Sequence, residues 1–307
     1  YSHAPDGETV NRYVDALVRE MEMVADDLET TTIYFGGGTP SILNLGQWER
    51  VLQMMDRLKL TGAGEWTVEC NPATLSLEKA KLLRDGGVNR ISMGVQSLNA
   101  DLLDRLGRVH SRAMVFKSYD NLRAAGFERI NLDLMFAIPS QTIEVWLSTL
   151  RETVELEPEH LSCYEVIYEQ ETPLYEQLQA GEFDVQEDLA CDMFEALTEF
   201  AGEHGFHQYE VANFARHTGT PEFEIPSEAC RHNVNYWRGG DYYGLGPSAT
   251  GYVRGVRTTN IANTESYCEL VEKGERAICL EEKLISLKRA GETAAFGLRM
   301  NAGWPFA

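Results

Sequence analysis

Residues 129–139, Arg129-Ile130-Asn131-Leu132-Asp133-Leu134-Met135-Phe136-Ala137-Ile138-Pro139, decide the fold class. Ile130, Leu132, Leu134, Met135, Phe136 and Ile138 make 129–138 a mostly apolar strand, as expected when helices cover a parallel sheet. The spacing predicts helices within 100–125 before it and over 143–156 after it. Working outward, the same alternation repeats. Residues 11–28 place Val14, Leu17, Met21, Val24 and Leu28 on one helical stripe with carboxylates between them. Residues 31–35 read as a strand rich in β-branched and aromatic side chains, ended by Gly36-Gly37-Gly38. Helix 47–58, strand 65–69 and helix 77–84 follow, the last stopped by Gly86-Gly87. Strands 90–96, 161–168 and 208–214 and helix 187–203 continue the series. Strand starts fall about every 25–45 residues with a helix in each gap, the βαβ rhythm of a parallel sheet with right-handed crossovers. The fold class is therefore α/β. Five to six units favour an open or closed βα barrel. A Rossmann-like sheet is the rival, although GxGxxG followed by an acidic residue about 20 positions on is absent.

The rhythm fades after residue 215, which divides the chain into a barrel, 1–215, and a smaller elaboration, 216–307. Residues 216–229 are polar and loop-like, 230–260 are rich in Gly and Tyr, and helical patterns return near 264–273 and 282–298. The chain has 307 residues, with 27 Lys+Arg against 48 Asp+Glu and a formal net charge of −21. Charge of that sign and size repels a phosphate backbone, so nucleic acid is excluded as a partner. A hydrophobic fraction of 43% excludes disorder. Six cysteines, at 70, 163, 191, 230, 268 and 279, stand too far apart for zinc or iron–sulfur spacing. Scattered unpaired cysteines suit a reducing cytosol, so a cytoplasmic protein is expected. No apolar run approaches the roughly 20 residues of a membrane helix, so no transmembrane segment is expected. The chain opens at Tyr1-Ser2-His3-Ala4 without a Met, as a fragment would.

In βα folds the site lies at the C-terminal ends of the strands. There stand Gly36-Gly37-Gly38-Thr39-Pro40-Ser41, then Glu69, Asn71 and Pro72, then Gln96 and Ser97, then Asp133, then Tyr164 and Glu165. Each has a plain alternative. Glycine triplets make tight turns, Glu69 fits a solvated strand-end acid, Gln96 fits a partner of backbone groups, and Arg108 fits a surface arginine near a helix end. Asp133 is the hardest to dismiss, because a carboxylate in an apolar run is costly unless paired or bound. An acid, an amide and a glycine loop at successive strand ends would converge on one cavity.

The series GGGTPS (36–41), Glu69-Cys70-Asn71-Pro72, Gly94-Val95-Gln96-Ser97, Leu106-Gly107-Arg108-Val109-His110 and Asn131-Leu132-Asp133-Leu134 with Pro139 resembles the radical SAM enzymes. More closely it resembles their branch containing oxygen-independent coproporphyrinogen III oxidase and the haem chaperone HemW. The resemblance runs in order over nearly the whole chain. It implies a partial (βα)6 TIM-like parallel barrel and S-adenosylmethionine (SAM) as cofactor. Gly37, Gly38 and Thr39 would sit against the amino acid end of SAM, with Glu69 on its ammonium and Arg108 on its carboxylate. Gln96 and Asp133 would meet the ribose and Ile167 the adenine. The resemblance also implies a [4Fe–4S] cluster held by three cysteines as CxxxCxxC. That motif is not in these residues, and the resemblance places it upstream of Tyr1. The stretch from Gly297-Leu298-Arg299-Met300-Asn301 onward likewise looks cut before the family's last small domain.

A second stretch, Cys230-Arg231-His232-Asn233-Val234-Asn235-Tyr236-Trp237, carries His-Asn-x-x-Tyr-Trp. It is similar to the segment that marks the haem-chaperone branch, which implies haem contact at His232, Asn233, Tyr236 and Trp237. On chemistry alone, His232 suits an iron ligand, and Tyr236 and Trp237 suit an apolar wall with polar tips. The same residues also suit plain packing of the appendage onto the barrel. Arg231 and Arg238 are the nearest cations for an anionic ligand. The other six histidines, at 3, 110, 160, 204, 207 and 217, receive no role.

Three functions stay open: a haem chaperone, which the match at 232–237 favours; an oxygen-independent coproporphyrinogen III oxidase; and a non-catalytic ligand-binding barrel. The expected partners are haem or porphyrinogen and acceptor haemoproteins. No side chain is assigned a catalytic role, and no metal ligand is assigned within the chain.

Overall fold

The computed structural model describes residues 7–303; the opening Tyr1-Ser2-His3-Ala4 lies outside the described residues. The chain alternates helix and strand through α1 (Gly7–Val24), β1 (Thr32–Phe35), α2 (Leu45–Arg57), β2 (Glu65–Cys70), α3 (Leu77–Asp85) and β3 (Arg90–Gln96). It continues through α4 (Ala100–Arg105), α5 (Arg112–Ala124), β4 (Ile130–Phe136), α6 (Ile143–Val154), β5 (His160–Glu165), α7 (Pro173–Gln179) and α8 (Glu187–Glu203). Most of the barrel helices start where the sequence supplies a cap. Asn44 and Gln47 form a capping box on α2, and Ser76, Asn99, Ser111 and Thr142 accept from the first turns of α3, α4, α5 and α6.

Strands β1 to β5 are all parallel and lie in chain order, so the sheet curls as a half-barrel rather than reversing as a Rossmann sheet does. The stretch read as one strand over 208–214 is instead a hairpin, β6 (Phe206–Glu210) and β7 (Asn213–Arg216). β7 runs antiparallel beside β5, and β6 closes the edge. Glu210 pairs with Asn213, so the chain turns on Val211-Ala212 alone. Neither is a usual turn residue, which explains why the sequence showed no break there.

The strands divide their side chains by alternation. Trp66 and Val68, Ile91, Met93 and Val95, Ile130, Leu132 and Leu134, and Leu161 and Cys163 are buried in the layer that also holds Trp48 of α2, Leu83 of α3, Val115 of α5 and Trp146 of α6. The intervening residues face the concave side.

Beyond β7 come α9 (Arg231–Trp237), β8 (Thr250–Val253), β9 (Val256–Asn260), α10 (Thr264–Glu272), β10 (Ile278–Lys283) and α11 (Ser286–Gly297). The last three strands form an antiparallel sheet in the order β10-β9-β8. Two buried carboxylates fasten this part to the half-barrel. Glu20 of α1, fully buried, accepts from the Gly246 N–H (2.8 Å), the Asn260 amide (2.8 Å) and the Tyr267 hydroxyl (2.7 Å). Glu65, at the start of β2, accepts from the N–H groups of Arg231 (3.1 Å) and His232 (3.0 Å) and from the Cys230 thiol (3.4 Å). It thereby satisfies the otherwise unpaired donors at the start of α9. No helix among the described residues is long and apolar enough to cross a membrane.

Candidate functional site

The concave face of the sheet is a stack of cross-strand rows set by the strand register. The lowest row holds Thr67 and Arg90; above it come Glu69, Ser92, Asn131 and His160; then Gly94, Asp133 and Ser162; then Met135 and Tyr164. Adjacent rows are about 7 Å apart at the usual rise of a parallel strand. All of these residues border one cavity of about 510 Å³.

At its mouth the glycine loop meets Glu69. The Glu69 carboxylate accepts from the Tyr34 hydroxyl (2.8 Å) and from the Gly37 N–H (3.1 Å). Gly36 permits this approach: a Cβ there would stand 2.5 Å from Cε1 of Tyr34 and 2.7 Å from Oε1 of Glu69. A register shift between Gly94 and Gln96 ends β3, and Gln96 adopts a left-handed φ of 64°. For a non-glycine residue that conformation stores about 1 kcal/mol, a strain found mostly where function fixes a side chain. Arg108 is exposed on the loop after α4. His110 anchors that loop by donating its Nε2–H to the Val95 carbonyl (3.0 Å). Ile167, 76% exposed, forms part of the rim.

Asp133 stands in the middle of the cavity wall. It accepts from Ser92 Oγ (3.1 Å) and from the Asn131 amide (2.7 Å). Burial pushes its pKa up to about 7, helped by the negative charge of Glu69 and opposed by the hydrogen bonds of Asn131, Ser92 and Ser162. Asn131 continues the network inward. Its amide oxygen can only accept, so His160 Nδ1, 2.6 Å away, carries the proton. His160 Nε2 then accepts from the Tyr209 hydroxyl (2.9 Å), which accepts in turn from the Cys230 N–H (3.2 Å). Burial, with the nearby Arg90 charge, holds His160 well below the usual histidine range, so the ring is neutral.

Gly38, Thr39, Glu69, Gln96, Arg108, Asp133 and Ile167 therefore border one cavity, and Gly37 joins them through its bond to Glu69. The four residues of the second motif part company. Asn233 borders the same cavity. His232 lies on the other side of Tyr34, in a groove of about 360 Å³ along the outer edge of β1, with its Nδ1 3.3 Å from the Thr32 hydroxyl. Burial lowers its pKa, against the pull of Glu65. Tyr236 and Trp237 border neither space; they pack with Tyr242 and Phe296, and the Arg299 guanidinium lies 5.0 Å from the Trp237 ring centre.

Sequence reasoning missed Tyr34, Arg90, Asn131 and His160. The period of two in β2 to β5, polar on one face and apolar on the other, was the signal that pointed to Arg90, Asn131 and His160; Tyr34, in β1, carried no such signal. Among the described residues no group of three or more His, Cys, Asp or Glu side chains could hold a metal ion. Cys70, Cys163, Cys230 and Cys268 are buried, and Cys191 and Cys279 exposed, so they do not fit an iron–sulfur cluster.

The family profile of the Radical SAM superfamily matches residues 1–153. The haem chaperone HemW of Lactococcus lactis is 37% identical over 97% of this chain and 76% of its own length. HemW of Escherichia coli is 34% identical over 87% of this chain and 70% of its own length. The solved structure of coproporphyrinogen III oxidase (HemN) from Escherichia coli superposes with a TM-score of 0.81 at 23% identity, over 97% of this chain and 70% of that one. That superposition bears on the fold alone, and it matches the half-barrel described above. A radical SAM profile over the first half, HemW relatives over nearly the whole length and a half-barrel with its polar face at the strand ends agree: the chain belongs to the radical SAM superfamily, in the group of the HemW haem chaperones.

Proposed function

We propose that this chain is the SAM-binding barrel of a haem chaperone that works in the cytoplasm and passes haem to acceptor haemoproteins. The observation that carries the reading is the convergence of Glu69, Gln96, Arg108 and Asp133 on one cavity beside a glycine loop. The donor set suits SAM. Glu69 offers a carboxylate to its ammonium, and Arg108 a planar fork to its carboxylate. Gln96 and Asp133 offer acceptors to ribose hydroxyls, Gly37, Gly38 and Thr39 line the amino acid end, and Ile167 offers an apolar face to adenine. SAM supplies a reactive sulfonium; the residues of this chain bind it, orient it and withdraw it from water. A [4Fe–4S] cluster enters the reading through the family, and no ligand set among the described residues supports it.

Haem is assigned to the side of the molecule bearing α9, where His232 has a half-buried imidazole and Arg231 and Arg238 are exposed. Asn233, Tyr236 and Trp237 complete the segment named for it. In this reading 1–215 is the barrel and 216–307 the haem-side elaboration, joined through Glu20 and Glu65.

Calorimetric titration with SAM tests the cavity. Arg108→Ala and Asp133→Ala are each expected to weaken binding about 10–100-fold, the scale of a lost hydrogen bond to a charged group; unchanged affinity would refute those assignments. Haem absorbance spectra test the second half, with His232→Ala expected to alter them. Conversion of coproporphyrinogen III to protoporphyrinogen by the anaerobically reconstituted protein would overturn the chaperone reading in favour of an oxidase.

A further inference from the structure

The lowest row of the cavity has a chemistry of its own. Thr67 of β2 and Arg90 of β3 are register partners on adjacent parallel strands, and both border the cavity. Thr67 is 1% and Arg90 2% exposed. Arg90 Nη1 donates to the Glu228 carbonyl (3.1 Å). Arg90 Nη2 and Thr67 Oγ1 are both buried with no hydrogen-bond partner among the described residues. Arg90 also makes no ion pair among the described residues; Glu65, a buried acid at the start of the neighbouring strand, is committed to the N–H groups of α9. His160, one row up, already uses both ring nitrogens.

A buried guanidinium nitrogen and a buried hydroxyl rarely stay unpaired, because each loses its water without replacement. Here two such groups sit on register partners that both line the floor of the cavity, each closed off from solvent until a small side-chain movement admits a ligand. We propose that the floor of the cavity is a subsite for a small carboxylate, with Arg90 Nη2 donating to one oxygen and Thr67 Oγ1 to the other. Two donors on neighbouring strands match the two oxygens of a carboxylate, and the guanidinium supplies the charge. The ligand is either a free monocarboxylate or the carboxylate end of a longer molecule whose cationic or hydroxyl-bearing end meets Glu69 and Asp133, one and two rows above. The subsite stands whether or not the mouth binds SAM.

The test uses the 307-residue chain with 13C-carboxyl acetate as probe, read by saturable NMR line broadening and by the melting temperature. Acetate is expected to bind saturably and to raise the melting temperature. Thr67→Val, which keeps the volume, and Arg90→Gln are each expected to weaken acetate at least tenfold. Arg90→Lys, which keeps the charge, is expected to retain part of the binding and guards against loss of the fold in Arg90→Gln. Competition by glycine or a longer amino acid at lower concentration than acetate would indicate a longer ligand that also uses the upper rows. Amino acids that compete no better than unlabelled acetate would indicate a free monocarboxylate. Chloride displacing acetate at equal concentration, no saturable acetate binding, or wild-type affinity in folded Thr67→Val would each overturn the proposal.

Discussion

The imidazole of His232 lies against the ring of Tyr34, with centroids 4.9 Å apart and planes 23° from parallel. The hydroxyl of the same tyrosine donates to Glu69. One side chain thus forms the wall between the cavity and the β1 groove. Tyr34→Phe keeps the ring and removes the hydroxyl. It should lower stability by about 1 kcal/mol, the net value of one hydrogen bond, and weaken SAM binding several-fold while leaving His232 unchanged. Tyr34→Ala should in addition raise the His232 pKa, because burial is what lowers it. NMR titration of the His232 ring and calorimetry separate the two outcomes; equal His232 titration curves in both variants would show that the stack does not shield the ring.

Glu65 caps α9 from inside the barrel. Glu65→Ala leaves two helix N–H groups and a thiol without their acceptor, which should cost about 2–3 kcal/mol. The loss should be local at first. Amide exchange across 231–237 is expected to accelerate before that of β2 to β4. Uniform acceleration over the whole chain would count against a specific capping role.

Asp133 gives the protein a pH signature. Its folded pKa of about 7 lies above the ordinary 3.8, so the folded protein holds a proton that the unfolded chain has released between those values. Stability should therefore fall as pH rises through that window. Asp133→Asn should flatten the slope, leaving stability near wild type at low pH and higher than wild type at pH 8. Ligand hydroxyls prefer the ionised form, so SAM affinity should rise through pH 7 in the wild type only. Denaturation and titration series at four pH values check both signs.

Gly36→Ala inserts a methyl group into the contact between Tyr34 and Glu69. The expected result is a stability loss of about 1–3 kcal/mol and a SAM affinity reduced at least tenfold. A variant that binds SAM like the wild type would mean that the Glu69 side chain shifts at little cost.

Asp133 was legible because a carboxylate in an apolar run stands out on any hydropathy reading, and the glycine loop was legible because three glycines end a strand. Arg90 and His160 were not. Each begins a strand, where a polar residue reads as the exposed end of the element, yet both lie inside the half-barrel. Glu20 was hidden for a related reason: it sits among other carboxylates of α1, and nothing local reveals that a partner more than two hundred residues away buries it. The β6–β7 hairpin escaped because Val211-Ala212 gives no turn signal. The glycine that matters sterically, Gly36, was passed over for Gly37 and Gly38, since contact across strands is invisible in a linear reading.

The alternation in β2 to β5 has a consequence for how this chain can change over time. Leu132 and Leu134 answer to the helices, while Asn131 and Asp133, their immediate neighbours, answer to the cavity. Two alphabets are interleaved on each strand, and a substitution in one leaves the other nearly untouched. Ligand preference can therefore drift while the scaffold stays fixed, and the scaffold can be hardened without retuning what it holds. The buried tethers Glu20 and Glu65 lie outside that freedom, because each is a contact between two parts of the chain that must change together.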